Sequence, residues 1–424
     1  MIHFMRFIRN YERERHHRVL QFSVFFLIWA VAFAIFEYFL PLYLESLNLS
    51  FIIMGIVLSG SSFISFFIDP FLGYIQRKFP PKTLLIASIL MFFANIFLLL
   101  HSGNVVFVLF LATNLYGIAF DLFSITSYKS VFQNSVEADR CTNLSFLESL
   151  YSVGLLVGAV IAGFAVANGL RSAAYISIGF LGLLLVMILF TKHERVKKKK
   201  ISMLQGYHDI FHELKTIGRK GIFLIVFMIF IHLFDGFFFV FEPIFAQKFS
   251  GYFFNEAVIG GLLLAVYTLP IILFALFFGK FEDRFGRKQF VVAGFLVSSI
   301  ALLLLQASNS LVLSAVSIFL VSMGFYAIAL PAVEGIYESV TQRKFGQSYA
   351  GYSVSIMEIT LSIGFFFGPL FGGIFLSFSG GFNTAFRIFS ALSFVMLVLS
   401  MIVLMKHKAP KAHRCPHTWK ELNE

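Results

Sequence analysis

Charged residues are scarce in this chain: Asp, Glu, Lys and Arg make up 13% of its 424 residues, against 58% that are hydrophobic. A water-soluble domain with so little charge could not cover its own surface. Cysteine is nearly absent. Cys141 and Cys415 are too few for a disulfide framework, so no oxidised scaffold is expected. A phosphate-binding loop, a zinc-ligand spacing and a nucleophile–base pair are also lacking, which leaves ATP-driven and enzymatic readings without support. No cofactor is implied. No metal site is implied either, because His413, Cys415 and His417 place three ligand types together with no fourth nearby. No short apolar segment with a small-residue cleavage site precedes the first long apolar run, so a cleavable signal peptide is not expected.

What the chain has instead is apolar length. Crossing a hydrocarbon core about 30 Å thick takes roughly 20 residues of helix. Within lipid the backbone must satisfy its own hydrogen bonds, so long apolar runs cross as helices. Turn and charge signals divide the sequence into runs near 20–46, 50–75, 83–101, 104–128, 142–168 and 171–191. A second set lies near 221–247, 256–280, 289–307, 310–338, 347–377 and 383–405. The expectation is an all-α membrane protein with twelve transmembrane helices. It divides into a basic flank 1–19, a six-helix half 20–191, a basic linker 192–220, a second half 221–405 and a tail 406–424.

Twelve spans put both termini on one side, and the basic residues say which. Of 33 Lys and Arg, only Arg171, Lys248 and Arg387 fall on the face opposite the termini. Basic loops stay in the cytosol, so both termini are expected there, in a multi-pass protein of the cell's inner (plasma) membrane. The net charge of +11 thus reads as a topology signal facing anionic headgroups, not as a nucleic-acid surface. In the linker, Ile201, Leu204, Phe211, Leu214 and Ile217 recur at helical spacing, as in an interfacial amphipathic helix or, alternatively, a solvated linker.

The halves match one another. Glu148, Gly154, Gly158 and Gly163 of helix 5 recur as Glu358, Gly364, Gly368 and Gly373 of helix 11, all offset by 210. Glu37 and Gly55 recur as Glu242 and Gly260, offset by 205. Parallel six-helix repeats with a site between them are a transporter architecture. The turn joining helices 8 and 9 reads Gly279-Lys280-Phe281-Glu282-Asp283-Arg284-Phe285-Gly286-Arg287-Lys288. It resembles, at every motif position, the loop signature of the major facilitator superfamily. The first-half copy is degenerate: within Gly73 to Lys82, Gln76 replaces the Asp and Pro80 the Gly, while Arg77 remains. By that resemblance the loop after helix 8 is a cytosolic gate that packs against the start of helix 5, with Asp283 reaching Arg140. Helix 11, with Gly364, Gly368, Pro369, Gly372 and Gly373, looks like the Gly-Pro signature that drug–proton antiporters of this superfamily carry in helix 5. Here helix 5 has Ala159 in place of that Pro, and Thr113 stands where those antiporters place an Arg in helix 4. The likeness to antiporters is therefore partial.

Carboxylates within the spans are the remaining signal: Glu37, Asp69, Asp121, Glu148, Asp235, Glu242, Glu334 and Glu358, with Glu338 near a cytosolic end and no Lys or Arg in mid-span. Burying a bare carboxylate is costly, so such a group tends to hold a proton. A group that changes protonation as access alternates is what proton coupling needs. Glu37 and Asp235 are the foremost candidates, roughly 25 Å and 21 Å from the cytosolic ends at about 1.5 Å per residue. The resemblance adds that helices 1 and 7 line the central cavity. Pro41 removes the bond to the carbonyl of Glu37, so helix 1 should bend there. His232, one turn from Asp235, could share its proton. The 59 phenylalanines need no cavity to explain them, since a lipid-facing side chain need only be apolar.

These features point to a secondary transporter working as a monomer, with protons as coupling ion. Its cargo would be a cationic or neutral amphipathic small molecule, exported. Proton-linked nutrient uptake uses the same residues with opposite flux. A non-transporting receptor or assembly factor on the same fold would instead have a sealed core.

Overall fold

A computed structural model describes residues 2–135, 140–191, 217–251, 255–345 and 350–405. Within them, the side chains of 2–16, 69–74, 76, 77, 140–142, 275–280, 283, 284, 342–345, 350–355 and 405 lie outside the description. Twelve helices of membrane-crossing length and composition are found among the described residues, with no strand. The first six are α1 (Ile2–Ser46), α2 (Phe51–Lys78), α3 (Pro81–His101), α4 (Val106–Asn134), α5 (Arg140–Ala167) and α6 (Leu170–Leu189). The next three are α7 (Gly218–Phe245), α8 (Glu256–Phe285) and α9 (Arg287–Ala307). Then come α10 (Leu311–Ser322, a π-helical stretch Met323–Ala329, and Leu330–Phe345), α11 (Ala350–Leu376) and α12 (Gly381–Ser400).

Local chemistry explains the boundaries. Ser50 caps α2 by accepting from the Ile53 amide at 3.4 Å, and Asn255 caps α8 by accepting from the Ala257 amide at 2.9 Å. Pro81 opens α3, where its missing N–H costs nothing. At the α8–α9 turn Gly286 has φ 98°, a conformation that only glycine adopts without strain. Helices α2, α4 and α8 each run several residues past their apolar stretch. Hydropathy marks where lipid ends, whereas the backbone stays helical until a cap stops it. The helix of α1 continues through Pro41.

α1 and α7 occupy the middle of the bundle. α1 packs on α4, α5 and α6 of its own half, α7 on α8, α10 and α11, and the two also meet each other. Across the halves α2 packs on α11 and α5 on α8. Small residues let these helices touch. A Cβ added to Gly154 or Gly158 of α5 would lie 2.6 or 2.7 Å from the Leu27 or Val31 carbonyl of α1. At the repeat-related positions of α11, Gly364 and Gly368 press on the α7 backbone at His232 and Leu233. The third pair crosses between halves, Gly163 onto Ala257 of α8 and Gly373 onto Phe51 of α2. Repetition in sequence is thus repetition of packing: two glycines hold each half together and the third joins it to the other.

Phenylalanine fills this core as well as facing lipid. Phe234, Phe237 and Phe241 of α7 are fully buried and continue into Phe386 and Phe389 of α12, with Phe237 and Phe389 stacked at 4.8 Å. Phe107 and Phe190, by contrast, are among the most exposed residues, as lipid-facing positions should be.

Candidate functional site

The face carrying the chain termini is called the terminal face, and its opposite the distal face. On the distal side the halves are in backbone contact. Gly261 of α8 lies so close to α5 that a Cβ there would sit 2.5 Å from the Ala159 carbonyl, and one on Gly55 of α2 would sit 2.5 Å from the Pro369 carbonyl of α11. Tyr38 of α1 donates to the Ala257 carbonyl at 2.7 Å, and Gln247 donates to Glu45 at 2.6 Å. Both bonds cross between halves. Ala159 and Thr113, the departures from the antiporter pattern, are packing residues here: Ala159 is fully buried, and the Thr113 hydroxyl donates to the Val57 carbonyl at 2.7 Å.

Toward the terminal face the described residues include acids from both halves. Glu148 of α5 and Glu358 of α11, the repeat-related pair, act on each other electrostatically across the halves, yet both are exposed. Both therefore border accessible space on the terminal side. Glu334 of α10 belongs to the same group, within electrostatic reach of Glu148, Glu358, Glu282 and Glu338. Among the described residues, exposed acids from both halves mark the terminal side, whereas backbone contact joins the halves on the distal side.

Deeper in the void sits a pair. Glu37 of α1 accepts a hydrogen bond from Tyr116 of α4 at 2.5 Å, and Asp235 of α7 accepts one from Tyr267 of α8 at 2.8 Å. Tyr326 of α10 adjoins Asp235 and donates to the Ile231 carbonyl at 3.1 Å. Glu37 and Asp235 feel each other's charge across the halves, and Tyr151 of α5 is in reach of both and of Glu148. Both acids are half-buried although their helices are central; partial exposure there means that a cavity reaches them. Phe33 and Phe120 line the same region, 4.7 Å apart, with Phe33 stacked on Tyr116 at 5.3 Å. A pair of carboxyls with phenol donors can hold either protons or a cation.

The four tyrosines are absent from a reading that looks only for charge. A signal existed: Tyr116 and Tyr326 share the 210 offset that relates helices 5 and 11, and each adjoins the acid of its half's central helix. His232 lies away from this pair. Its ring is buried against Gly364 of α11 with Nδ1 lacking a hydrogen-bond partner, and Asp235 has its phenol donors instead. Asp121 is half-buried on α4, and Glu242 is buried at the distal seal. Arg287 of the loop signature donates to the Gly335 carbonyl of α10 at 2.6 Å, tying α9 to α10 within one half. Lys288 begins α9 beside it, half-buried. The side chains of Gly73, Gln76, Arg77, Arg140, Cys141, Asp69, Gly279, Asp283 and Arg284 lie outside the described residues. So do most of the linker, residues 192–216, and the tail with His413, Cys415 and His417.

The sequence profile of the Major Facilitator Superfamily matches residues 19–260 and 233–421. The chain is 23% identical over 362 residues to the quinolone resistance protein NorA of Staphylococcus aureus (strain MSSA476), covering 84% of this chain and 88% of that one. It is 30% identical over 148 residues to multidrug resistance protein 2 of Bacillus subtilis (strain 168), 34% of each chain. In fold it is similar to the nucleoside transporter NupG, with a TM-score of 0.76 at 16% identity, covering 92% of this chain and 99% of that one. A bacterial homologue of the human lysosomal transporter Spinster, in an inward-facing, unoccupied conformation, gives 0.70 at 15% identity, covering 94% and 99%. With the profile covering the chain nearly end to end, on twelve helices whose halves bring Glu37 and Asp235 within electrostatic reach, the protein belongs to the major facilitator superfamily and is a membrane transporter of that family.

Proposed function

We propose that the protein exports a cationic or neutral amphipathic small molecule in exchange for protons, by alternating access. The observation that carries this reading is the meeting of Glu37 and Asp235, one from each half, beside one void with no Lys or Arg in mid-span. Such a pair cannot be ionised at no cost, so protons and a cation compete for it. Binding the cation expels protons, and protonation expels the cation, which is the thermodynamic requirement for exchange. The aromatic lining by Phe33, Phe120 and Tyr151 suits an apolar body attached to the charge. The relatives named for quinolone and multidrug resistance favour export. With the basic loops cytosolic, the exposed acids of the terminal side would face inward, from where exported cargo would load.

The test is a flux measurement on proteoliposomes loaded at acidic pH and placed in alkaline buffer. A fluorescent lipophilic cation should accumulate inside, a protonophore should abolish the accumulation, and Glu37→Gln or Asp235→Asn should do the same while the protein stays folded. Accumulation that ignores the pH gradient would contradict proton exchange, and proton-dependent flux surviving both substitutions would remove this pair from the mechanism.

A further inference from the structure

Glu242 is the repeat mate of Glu37, yet its surroundings differ. Glu37 borders the void and accepts from a tyrosine. Glu242 is 1% exposed, and neither carboxyl oxygen has a hydrogen-bond partner. It stands two helical turns distal to Asp235, one turn before Ala246, which packs on Gly260 of α8. Tyr38, whose hydroxyl ties α1 to the Ala257 carbonyl of α8 across the halves, is in electrostatic reach of it. Glu242 is therefore walled in by the residues that close the distal side. Glu242 acts electrostatically on Tyr38 of α1, and burial is what acts on Glu242 itself. Glu256 of α8 acts on Tyr38, and no charged group of α8, α10, α11 or α12 acts on Glu242 among the described residues.

We propose that Glu242 is a second proton site, filled from the distal side, and that the distal seal closes only when it is filled. An ionised carboxylate with two orphaned oxygens in a dry core is far costlier than a neutral carboxyl there. The closed seal thus selects the neutral form. When α1 and α8 part, water reaches Glu242, the proton can leave to it, and the seal cannot re-form until a proton returns. Every export cycle must close the distal side again, so this site would tie closure to the proton supply outside, separately from the Glu37–Asp235 pair. The inference rests on alternating access as read above, but not on that pair being the coupling site.

Spin labels at Asn104→Cys in the α3–α4 turn and Ser379→Cys in the α11–α12 turn, both distal, exposed and in opposite halves, report seal closure. The native cysteines would be replaced by serine and the protein held in lipid nanodiscs without cargo. In the wild type the closed-to-open ratio should fall at least about tenfold from mildly acidic to mildly alkaline buffer. Glu242→Gln, neutral at every pH, should stay closed throughout, and Glu242→Asp should restore pH dependence. The same measurement in a Glu37→Gln, Asp235→Asn background should keep the wild-type pH response. A Glu242→Gln protein that still opens with rising pH would overturn the proposal, as would a wild type without pH response. Loss of the response in the double-substituted background with Glu242 intact would also overturn it, by placing the switch in the central pair.

Discussion

Substituting Gly261 with alanine tests whether backbone contact between α5 and α8 is what closes the distal side. The new Cβ would sit 2.5 Å from the Ala159 carbonyl oxygen, 2.9 Å from the Gly163 Cα and 3.0 Å from the Gly163 amide nitrogen. All three are backbone atoms, so no side chain can rotate away, and the helices must part by roughly 1 Å to reach ordinary contact. Overpacking of this kind costs about 1–3 kcal/mol. Alanine also favours helix over glycine by about 1 kcal/mol, but α8 gains that whichever side is open. The strain exists only when the distal side is closed, so the population should move toward distal-open by about 5- to 150-fold. The distal spin-label pair described above reads this directly. Gly179→Ala and Gly182→Ala in α6, where an added Cβ meets nothing within 4 Å, are the controls and should leave the distance distribution alone. A Gly261→Ala protein as closed as the wild type, or an equal shift from Gly179→Ala, would refute the contact as the seal.

Three further expectations follow. Tyr116→Phe removes the phenol donor of Glu37. A hydrogen bond to a charged group contributes about 1.5–3 kcal/mol, so proton release should become harder and cation affinity at neutral pH should fall about 10- to 150-fold, by titration of purified protein. Unchanged affinity would exclude that bond from the site. Cys141 and Cys415 should resist impermeant thiol reagents applied outside intact cells, and labelling of either would overturn the helix count or the orientation. If the loop after α8 is a gate on the terminal face, Asp283→Asn should favour the state open on that face far more than Gln76→Ala does, read as distances between labels on that face in the two halves. Equal effects would sink an asymmetric gate.

Hydropathy was sufficient to place twelve spans because lipid imposes apolar length on every one, and the glycine repeat was legible because close packing tolerates no side chain. The acids could be found by type but not sorted by role. Asp235 and Glu242 are seven residues apart on one face of α7 and look alike in sequence. Only the bundle decides that one borders the void and the other is sealed, since that depends on where α1, α7 and α8 cross. The repeat offset even points to Glu242 as the counterpart of Glu37, whereas the carboxyl within its reach is Asp235. Tyr116 and Tyr326 escaped because a tyrosine in a membrane helix is unremarkable until its hydroxyl has a partner. The π-helical stretch of α10 left no trace, because it is a change in backbone hydrogen-bond register over residues of ordinary composition.

If protons and cargo share Glu37 and Asp235, cation binding must expel protons, and proton release on binding measures this most directly. Purified protein in weakly buffered detergent solution, with a pH indicator present, would be titrated with a lipophilic cation near neutral pH. The wild type should release at least one proton for each cation bound. The double variant Glu37→Gln, Asp235→Asn should release none. Tight cation binding by the wild type with no proton released would contradict the exchange mechanism.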